Sequence, residues 1–319
     1  MRALRVESLA PAYAGCALRD IEIPKPGPGE VLVKIRAAAV NFPDLLQTRG
    51  EYQHRPDLPF TLGQEAAGEV VEVGEGAPFQ VGDAVVGRAG FADYAVMTDA
   101  RVIPPGVSFS QAASFGVAYL TAYVALVRRG LAQPGEWLLV HGAAGGVGLA
   151  AVDLGKALGL KVIAAAAAPD KRAIIEADYA PDAVIDSAPG FKDRVKAITG
   201  GRGADLICDP VGGDVFDESV RCIAPGGRLL VIGFTSGRIP TLPVNLALIK
   251  TFSLIGVRAG EFGRQNPGLG RENQDAIWSM LAEGKLHPRV HAELPLDRWR
   301  EALNLLANRK VVGKVVLTP

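Results

Sequence analysis

The sequence predicts an α/β protein in which a doubly wound parallel sheet is inserted into a β-rich domain. Three observations carry this. The apolar run Trp137-Leu-Leu-Val-His141 stops at a glycine-rich turn, Gly142-Ala-Ala-Gly-Gly-Val-Gly148, which opens into helical apolar spacing over 147–158 and a second apolar run at 161–165. Apolar strands then keep alternating with helical segments as far as residue 257, the spacing of crossover helices between parallel strands. On either side, the chain is made largely of short strands and turns.

The elements follow in order. Residues 30–36 alternate apolar and charged side chains, as a half-buried strand does, and 68–74 and 83–87 repeat the pattern between Gly and Pro punctuation. Strands are expected at 138–140, 162–165, 183–185, 206–209, 228–232 and 253–257. The continuous apolar character of 229–232 fits a strand covered on both faces. Beyond about 258 come a glycine-rich polar bend, an amphipathic helix near 274–284, a helix near 296–307 and a strand at 313–317. The simplest closure returns this tail to the first domain, so the expected boundaries are 1–118, 119–257 and 258–319.

Composition narrows the function. A chain of 319 residues, 49% of them hydrophobic, has room for two cores. The 34 basic residues balance 34 acidic ones and never run longer than pairs, which argues against a nucleic-acid surface built on counterion release. Cys16, Cys208 and Cys222 lie far apart, with no metal-ligand spacing, and read as buried thiols in a reducing compartment. No signal-peptide core opens the chain and no stretch has the length and purity of a membrane span, so a soluble cytoplasmic protein without membrane partners is expected.

The glycine turn carries the chemistry. A strand, a turn and a helix in this order form a dinucleotide site: Gly145 admits the pyrophosphate to the backbone, and Gly148 lets helix and strand pack closely. The first-turn N–H groups and the helix dipole favour the phosphates, making Ala144, Gly145, Gly146, Val147 and Gly148 the expected contacts. Ala143 stands where the usual pattern has its first glycine.

Several further motifs occur in a shared order. Asn41-Phe-Pro-Asp44, Leu62-Gly-Gln-Glu-Ala-Ala-Gly-Glu-Val-Val-Glu-Val-Gly74, Val81-Gly-Asp-Ala-Val85, the glycine turn and Gly313-Lys-Val-Val-Leu-Thr-Pro319 together resemble the medium-chain dehydrogenase/reductase superfamily over essentially the whole chain. The branch they resemble is that of the zinc-free quinone oxidoreductases and their enoyl-reductase relatives. The resemblance implies a Rossmann-type doubly wound sheet inserted in a GroES-like catalytic domain. Positions that hold catalytic zinc in other members look like Asn41, Gln64 and Val117, which supply neither thiolate nor imidazole. The cysteines of a structural zinc lobe are missing too. His54, His141, His287 and His291 have no pairing that rebuilds a site, and a metal-free enzyme is expected.

The coenzyme can be read from charge. An NAD-preferring fold places a carboxylate about 20 residues past the glycine turn, and here 164–168 is all alanine. Lys171 matches the family's lysine for the adenosine 2′-phosphate and Arg172 stands beside it, so NADPH is expected. Ser187 replaces a tyrosine that often assists there, and Asp170 blunts the local potential. Gly233, Phe234 and Thr235, in the turn after the fifth strand, together with Val257, are expected at the nicotinamide carboxamide, and Thr121 at the nicotinamide or its ribose.

The expected reaction delivers hydride to a quinone or to the β-carbon of an α,β-unsaturated carbonyl, leaving an enolate that needs a hydrogen-bond donor and a proton. Tyr52, in Gly50-Glu-Tyr52, matches the proton donor of enoyl reductases. Asn41 is placed to orient the nicotinamide ribose or the substrate carbonyl. Leu46 stands where quinone oxidoreductases often carry another tyrosine, which makes the pocket more apolar. Asp44 and Glu65 are read as structural, Asp44 as a cap or loop tie. Two alternatives stay open: an enoyl-CoA or other acyl-thioester reductase with a basic lip at Arg55, Arg258 and Arg264, and a non-catalytic NADPH-binding protein. A homodimer joined through edge strands such as 253–257 is also expected.

Overall fold

The computed structural model of the chain describes residues 1–319 and divides them into two units, 1–116 with 288–319, and 117–287. The first unit opens with β1 (Arg2–Val6), β2 (Cys16–Asp20) and β3 (Val31–Ala39), after which comes a short helix, α1 (Phe42–Gln47). β4 (Phe60–Thr61), β5 (Ala66–Val73), β6 (Ala84–Gly87), β7 (Tyr94–Met97) and β8 (Arg101–Val102) follow and lead into helix α2 (Phe109–Tyr123). β2, β1 and β4 form one antiparallel sheet. The second sheet runs β15 (Val290–Pro295), β16 (Lys314–Thr318), β3, β5, β6, β8, with β7 also on β3. The alternation in β3 explains its place: Val33 and Ile35 point into a core with Leu4, Leu62, Phe91, Met97 and Leu317, while Lys34 and Arg36 face solvent.

The second unit is built on six parallel strands: β9 (Trp137–Val140), β10 (Lys161–Ala165), β11 (Ala183–Ile185), β12 (Ala204–Asp209), β13 (Ile223–Val231) and β14 (Ser253–Gly256). Their order is β11-β10-β9-β12-β13-β14, so in sequence terms 3-2-1-4-5-6. The order reverses between β9 and β12, the place where such sheets open a crevice for ligands. Every residue of β12 is buried, as expected of a strand covered on both faces. Helices α3 (Gly146–Ala157), α4 (Pro169–Tyr179), α5 (Phe191–Ile198), α6 (Gly213–Ser219) and α7 (Asn245–Lys250) supply the crossovers.

Two expectations are corrected. The chain does not return to the first unit at 258. Helices α8 (Ala259–Gln265) and α9 (Pro267–Ala282) stay with the parallel sheet's unit, where Arg128 donates to the Asn273 Oδ1 at 2.6 Å and pairs with Glu272 at 2.9 Å, and α9 buries Ile277, Trp278 and Leu281. Residue 288, not 258, begins the return. Moreover, one helical stretch, Phe109–Arg129, does have the length and composition to cross a membrane, and 61% of its most apolar window is buried within the protein. A core helix passes the same test, because burial in protein and burial in lipid select the same side chains.

Candidate functional site

In the second unit, β9 ends at Val140 and two backbone bonds tether the turn that follows: His141 N–H to Cys208 O at 3.0 Å and Ala143 N–H to Ala165 O at 3.1 Å. The turn is thereby pinned to both neighbouring strands. Gly145 caps α3 and has no side chain with which to do so. The first-turn N–H groups of Gly146, Val147 and Gly148 therefore meet no capping side chain, the arrangement that suits a helix N-terminus to an anionic acceptor. A Cβ on Gly148 would lie 2.2 Å from Gly142 O, so helix and turn meet there at a spacing only glycine permits. Gly145, Gly146 and Val147 are partly exposed, and Ala144 is buried. His141, with Nε2 2.8 Å from Ser219 Oγ, is fully buried, and that burial pushes its pKa down to about 3: it is a neutral packing residue.

Around this cradle the structure sorts the other expected residues. Lys171 stands half-exposed in the first turn of α4, its ammonium pKa lowered by burial, with Asp170 acting the other way. Arg172 is partly engaged within the chain. Its Nη1 donates to Ala166 O and Ala167 O at 3.0 and 2.5 Å and pairs with Asp186 at 3.2 Å, which ties that nitrogen to carbonyls just past β10 and leaves Nη2 and Nε out of these bonds. In the turn after β13, Thr235 and Ser236 donate their N–H groups to Pro210 O and Val211 O, at 3.1 and 2.9 Å, and Val257 donates to Val231 O at 2.9 Å. These backbone donors are spent on the fold, which leaves carbonyls and the partly exposed Gly233 and Phe234 for a ligand. Asp209 holds the facing turn through N–H groups of Val211 and Gly212 at 2.8 and 2.9 Å. The Thr121 hydroxyl donates to Val117 O at 2.7 Å and keeps acceptor capacity. Arg258 and Arg264, two cations of the basic lip expected for an acyl-thioester reductase, are exposed and share Glu261 as an ion-pair partner, which offsets one of their two charges.

In the first unit the polar motif residues converge. Asp44, wholly buried in α1, reaches back to accept the Asn41 N–H at 2.7 Å, and Gln64 donates to it at 3.4 Å. The Asn41 amide is also occupied. Its Nδ2 donates to Ala39 O at 3.2 Å and to Glu65 Oε1 at 2.9 Å, while its Oδ1 accepts from Lys314 Nζ at 2.5 Å. Lys314 completes the cluster with a 2.9 Å ion pair to Glu65, both side chains being 7% and 5% exposed. No sequence reading placed Lys314 in the site. The available signal was a lysine at the start of an otherwise apolar strand, since a buried lysine requires a partner. Tyr52 sits half-buried in the loop after α1 and makes no hydrogen bond within the chain; its neighbours Gln53, His54 and Arg55 are exposed.

Burial pushes the Asp44 carboxyl up to about 7, against the Asn41 N–H and the Lys314 charge that act to lower it. An unfolded aspartate releases its proton near 3.9. Between about pH 4 and 7 the unfolded chain is thus ionised while the native one is not, so stability falls as pH rises through that window. Asp44→Asn is expected to flatten this dependence and to gain roughly 1–3 kcal/mol over the parent above pH 7. Urea midpoints at pH 5 and pH 8 check it: equal shifts at both values would refute the assignment.

A phosphate cradle at the switch point of a 3-2-1-4-5-6 sheet, joined in one chain to a largely antiparallel β unit, defines a nucleotide-dependent oxidoreductase class. The comparisons agree. Residues 27–125 match the family described as alcohol dehydrogenase GroES-like domain, and 146–270 the family described as zinc-binding dehydrogenase. A quinone oxidoreductase-like protein 2 homolog of Nematostella vectensis is 39% identical over 301 residues, covering 91% of this chain and 82% of its own. Among solved structures, the quinone oxidoreductase of Thermus thermophilus, also solved in complex with NADPH, is 32% identical with a TM-score of 0.86 over 100% of both chains. The enoyl reductase CurK is 26% identical with a TM-score of 0.89, over 99% of this chain and 98% of that one. The chain belongs to the medium-chain dehydrogenase/reductase superfamily, in its zinc-free quinone oxidoreductase branch.

The zinc named by the second family description does not fit these residues. An amide and a carboxylate remain at Asn41 and Glu65, and the Lys314 ammonium already bonds both. A metal cation beside that ammonium would add a second positive charge to a dry cluster. A nicotinamide dinucleotide does fit, because the cradle at 145–148 offers uncapped N–H groups and no Cβ at Gly148 to block the approach of turn and helix.

Proposed function

We propose that this protein reduces a quinone or an α,β-unsaturated carbonyl with hydride from NADPH, without a metal. The observation that carries the reading is the uncapped first turn of α3 after β9, with Lys171 in the first turn of α4, which follows the adjacent β10, and no carboxylate in 164–168. Gly145 to Gly148 hold the pyrophosphate by backbone N–H groups, Ala144 lies beneath it, and Lys171 attracts the 2′-phosphate. The carbonyl of Val257, and Gly233, Phe234 and Thr235, border the carboxamide, with Thr121 accepting from a ribose hydroxyl. NADPH, when bound, supplies the hydride.

The chain's remaining task is the proton. Hydride addition to the β-carbon of an enone puts the electron pair of the alkene onto the carbonyl oxygen. Tyr52, half-buried with no partner inside the chain, donates to that oxygen and supplies the proton. Tyr52→Phe is expected to lower enone turnover by about 10²-fold, the usual range for a general acid, with NADPH affinity changed by less than about twofold. Assay against a panel of quinones, enones and enoyl thioesters, following NADPH absorbance, tests the whole reading. Binding of NADPH with no acceptor consumed establishes a binding protein instead. The likeness to CurK favours a second substrate class, enoyl thioesters; of its basic lip only Arg55 lacks an ion pair.

Coenzyme choice has its own test. Lys171→Ala is expected to cut the preference for NADPH over NADH by about tenfold, by removing one charge-assisted contact. An unchanged ratio of kcat/KM for the two coenzymes would exclude Lys171 from the 2′-phosphate.

Two copies are proposed to join along β14. This strand ends its sheet, and just before it in the chain Val244, Leu248 and Ile249 are 83%, 79% and 70% exposed. An open edge flanked by exposed apolar side chains is a pairing surface. Sedimentation that returns only a 33.4 kDa monomer at micromolar concentration removes this proposal.

A further inference from the structure

We infer that Lys314 is a positioning residue, whose ammonium, held between Glu65 and Asn41, fixes the Asn41 amide so that this side chain presents an acceptor and never a donor to a ligand. The chain brings these groups together from far apart. Asn41 caps α1 just after β3, Glu65 immediately precedes β5, and Lys314 opens β16. β3 pairs with both β5 and β16, and Val40 N–H donates to Val315 O at 2.9 Å. Gly313 makes the approach possible, since its φ is +87° and a Cβ there would lie 2.4 Å from Arg289 O. Lysine is the only cation in reach of both oxygens, at 2.5 Å from Asn41 Oδ1 and 2.9 Å from Glu65 Oε1.

The orientation of the amide follows from charge. Exchanging its two ends would set the NH₂ against the ammonium and the carbonyl against the Glu65 carboxylate, two buried repulsions in place of two charge-assisted bonds. As it stands, both hydrogens on Nδ2 are spent, on Ala39 O and Glu65 Oε1. What remains is one lone pair on Oδ1. Asn41 can therefore accept from a hydroxyl or an amide N–H, as on the nicotinamide ribose or carboxamide. It has nothing to give to a substrate carbonyl. Of the two roles expected for Asn41, this keeps orientation of the coenzyme and removes polarisation of the acceptor, and it leaves the enolate to Tyr52. The inference rests on the reading of Asn41 as a ligand contact made above.

The test separates the positioning role from that reading. The side-chain ¹⁵N–¹H pair of Asn41, assigned by its loss in Asn41→Leu, reports the orientation directly and without ligand. It is expected to exchange slowly and to keep its shifts in Lys314→Arg, and to move and exchange rapidly in Lys314→Met. The double variant Glu65→Gln with Lys314→Met removes both charges, so it folds without an orphaned ion while leaving the amide free to turn. In that variant NADPH affinity, followed by fluorescence, is expected to fall about tenfold, the loss of one oriented hydrogen bond. Unchanged Asn41 signals in the double variant would overturn the positioning role. Altered signals with unaltered NADPH affinity would overturn the acceptor role of Asn41 and leave Lys314 as its orienting cation. A wild-type protein that binds no NADPH defeats the proposed function, and the amide signals still decide the inference.

Discussion

Gly148→Ala is expected to abolish measurable NADPH binding, with at least a roughly 100-fold rise in Kd, and to cost the second unit on the order of 3 kcal/mol. The added Cβ would stand 2.2 Å from Gly142 O, 2.7 Å from Gly142 C and 3.0 Å from Ala143 Cα. All three are backbone atoms, so no rotamer change relieves the overlap. The turn cannot retreat, because His141 and Ala143 tie it to β12 and to the end of β10. The helix must move instead, which breaks its packing on the sheet through Leu149, Val152 and Leu154 and carries the first-turn N–H groups away from the phosphates. Gly260→Ala is the control: it also lies in a helix, but nothing stands within 4 Å of its added Cβ. It should be neutral or slightly stabilising, by up to about 1 kcal/mol. Thermal unfolding and NADPH titration of both variants decide the matter. Normal binding by Gly148→Ala would mean that the dinucleotide does not use this turn.

Glu65→Ala is expected to destabilise the first unit by about 3–5 kcal/mol, the range for leaving one member of a buried ion pair alone. Lys314 would then keep only Asn41 Oδ1 as a partner, and Asn41 would lose one of the two acceptors of its Nδ2. A water could enter, but the side chains are 5% and 7% exposed, so solvent relief is small. Removing Lys314 as well should recover most of the loss, because two apolar groups tolerate a dry core better than one bare charge. Urea unfolding of both single variants and the double variant gives the coupling directly. Additive losses would show that the pair is wet and energetically independent.

Much of the architecture was legible from short stretches. Most parallel strands of the second unit announce themselves as apolar runs: the structure places strands at 137–140, 161–165, 183–185, 204–209 and 253–256 within a residue or two of expectation, while β13 starts at 223, five residues before the expected 228, where Pro225-Gly-Gly227 hides it. The glycine turn was legible for the same reason: its requirement, a backbone contact between Gly142 and Gly148, spans only six residues. The return to the first unit was not. Helical periodicity shows that 274–284 has one apolar face and is silent about which unit covers it. Arg128 and Asn273, 145 residues apart, answer that.

Charged side chains were the least legible part of the site. Arg172 reads in sequence as a free cation, yet its Nη1 is held by Ala166, Ala167 and Asp186. Arg258 and Arg264 read in sequence as two unopposed cations, and the structure gives them Glu261 as a shared partner. Asn41 suggested a side chain free to donate until Lys314, 273 residues away, took its oxygen and Glu65 its nitrogen. By itself the sequence determined the periodicities, the phosphate turn and the loss of the zinc-ligating side chains, all properties of residue type and short spacing. Only the tertiary structure decided which hydrogen-bonding atoms remain available, because a donor or acceptor buried with a partner is no longer free for a ligand, and those partners come from strands that meet in space and not along the chain.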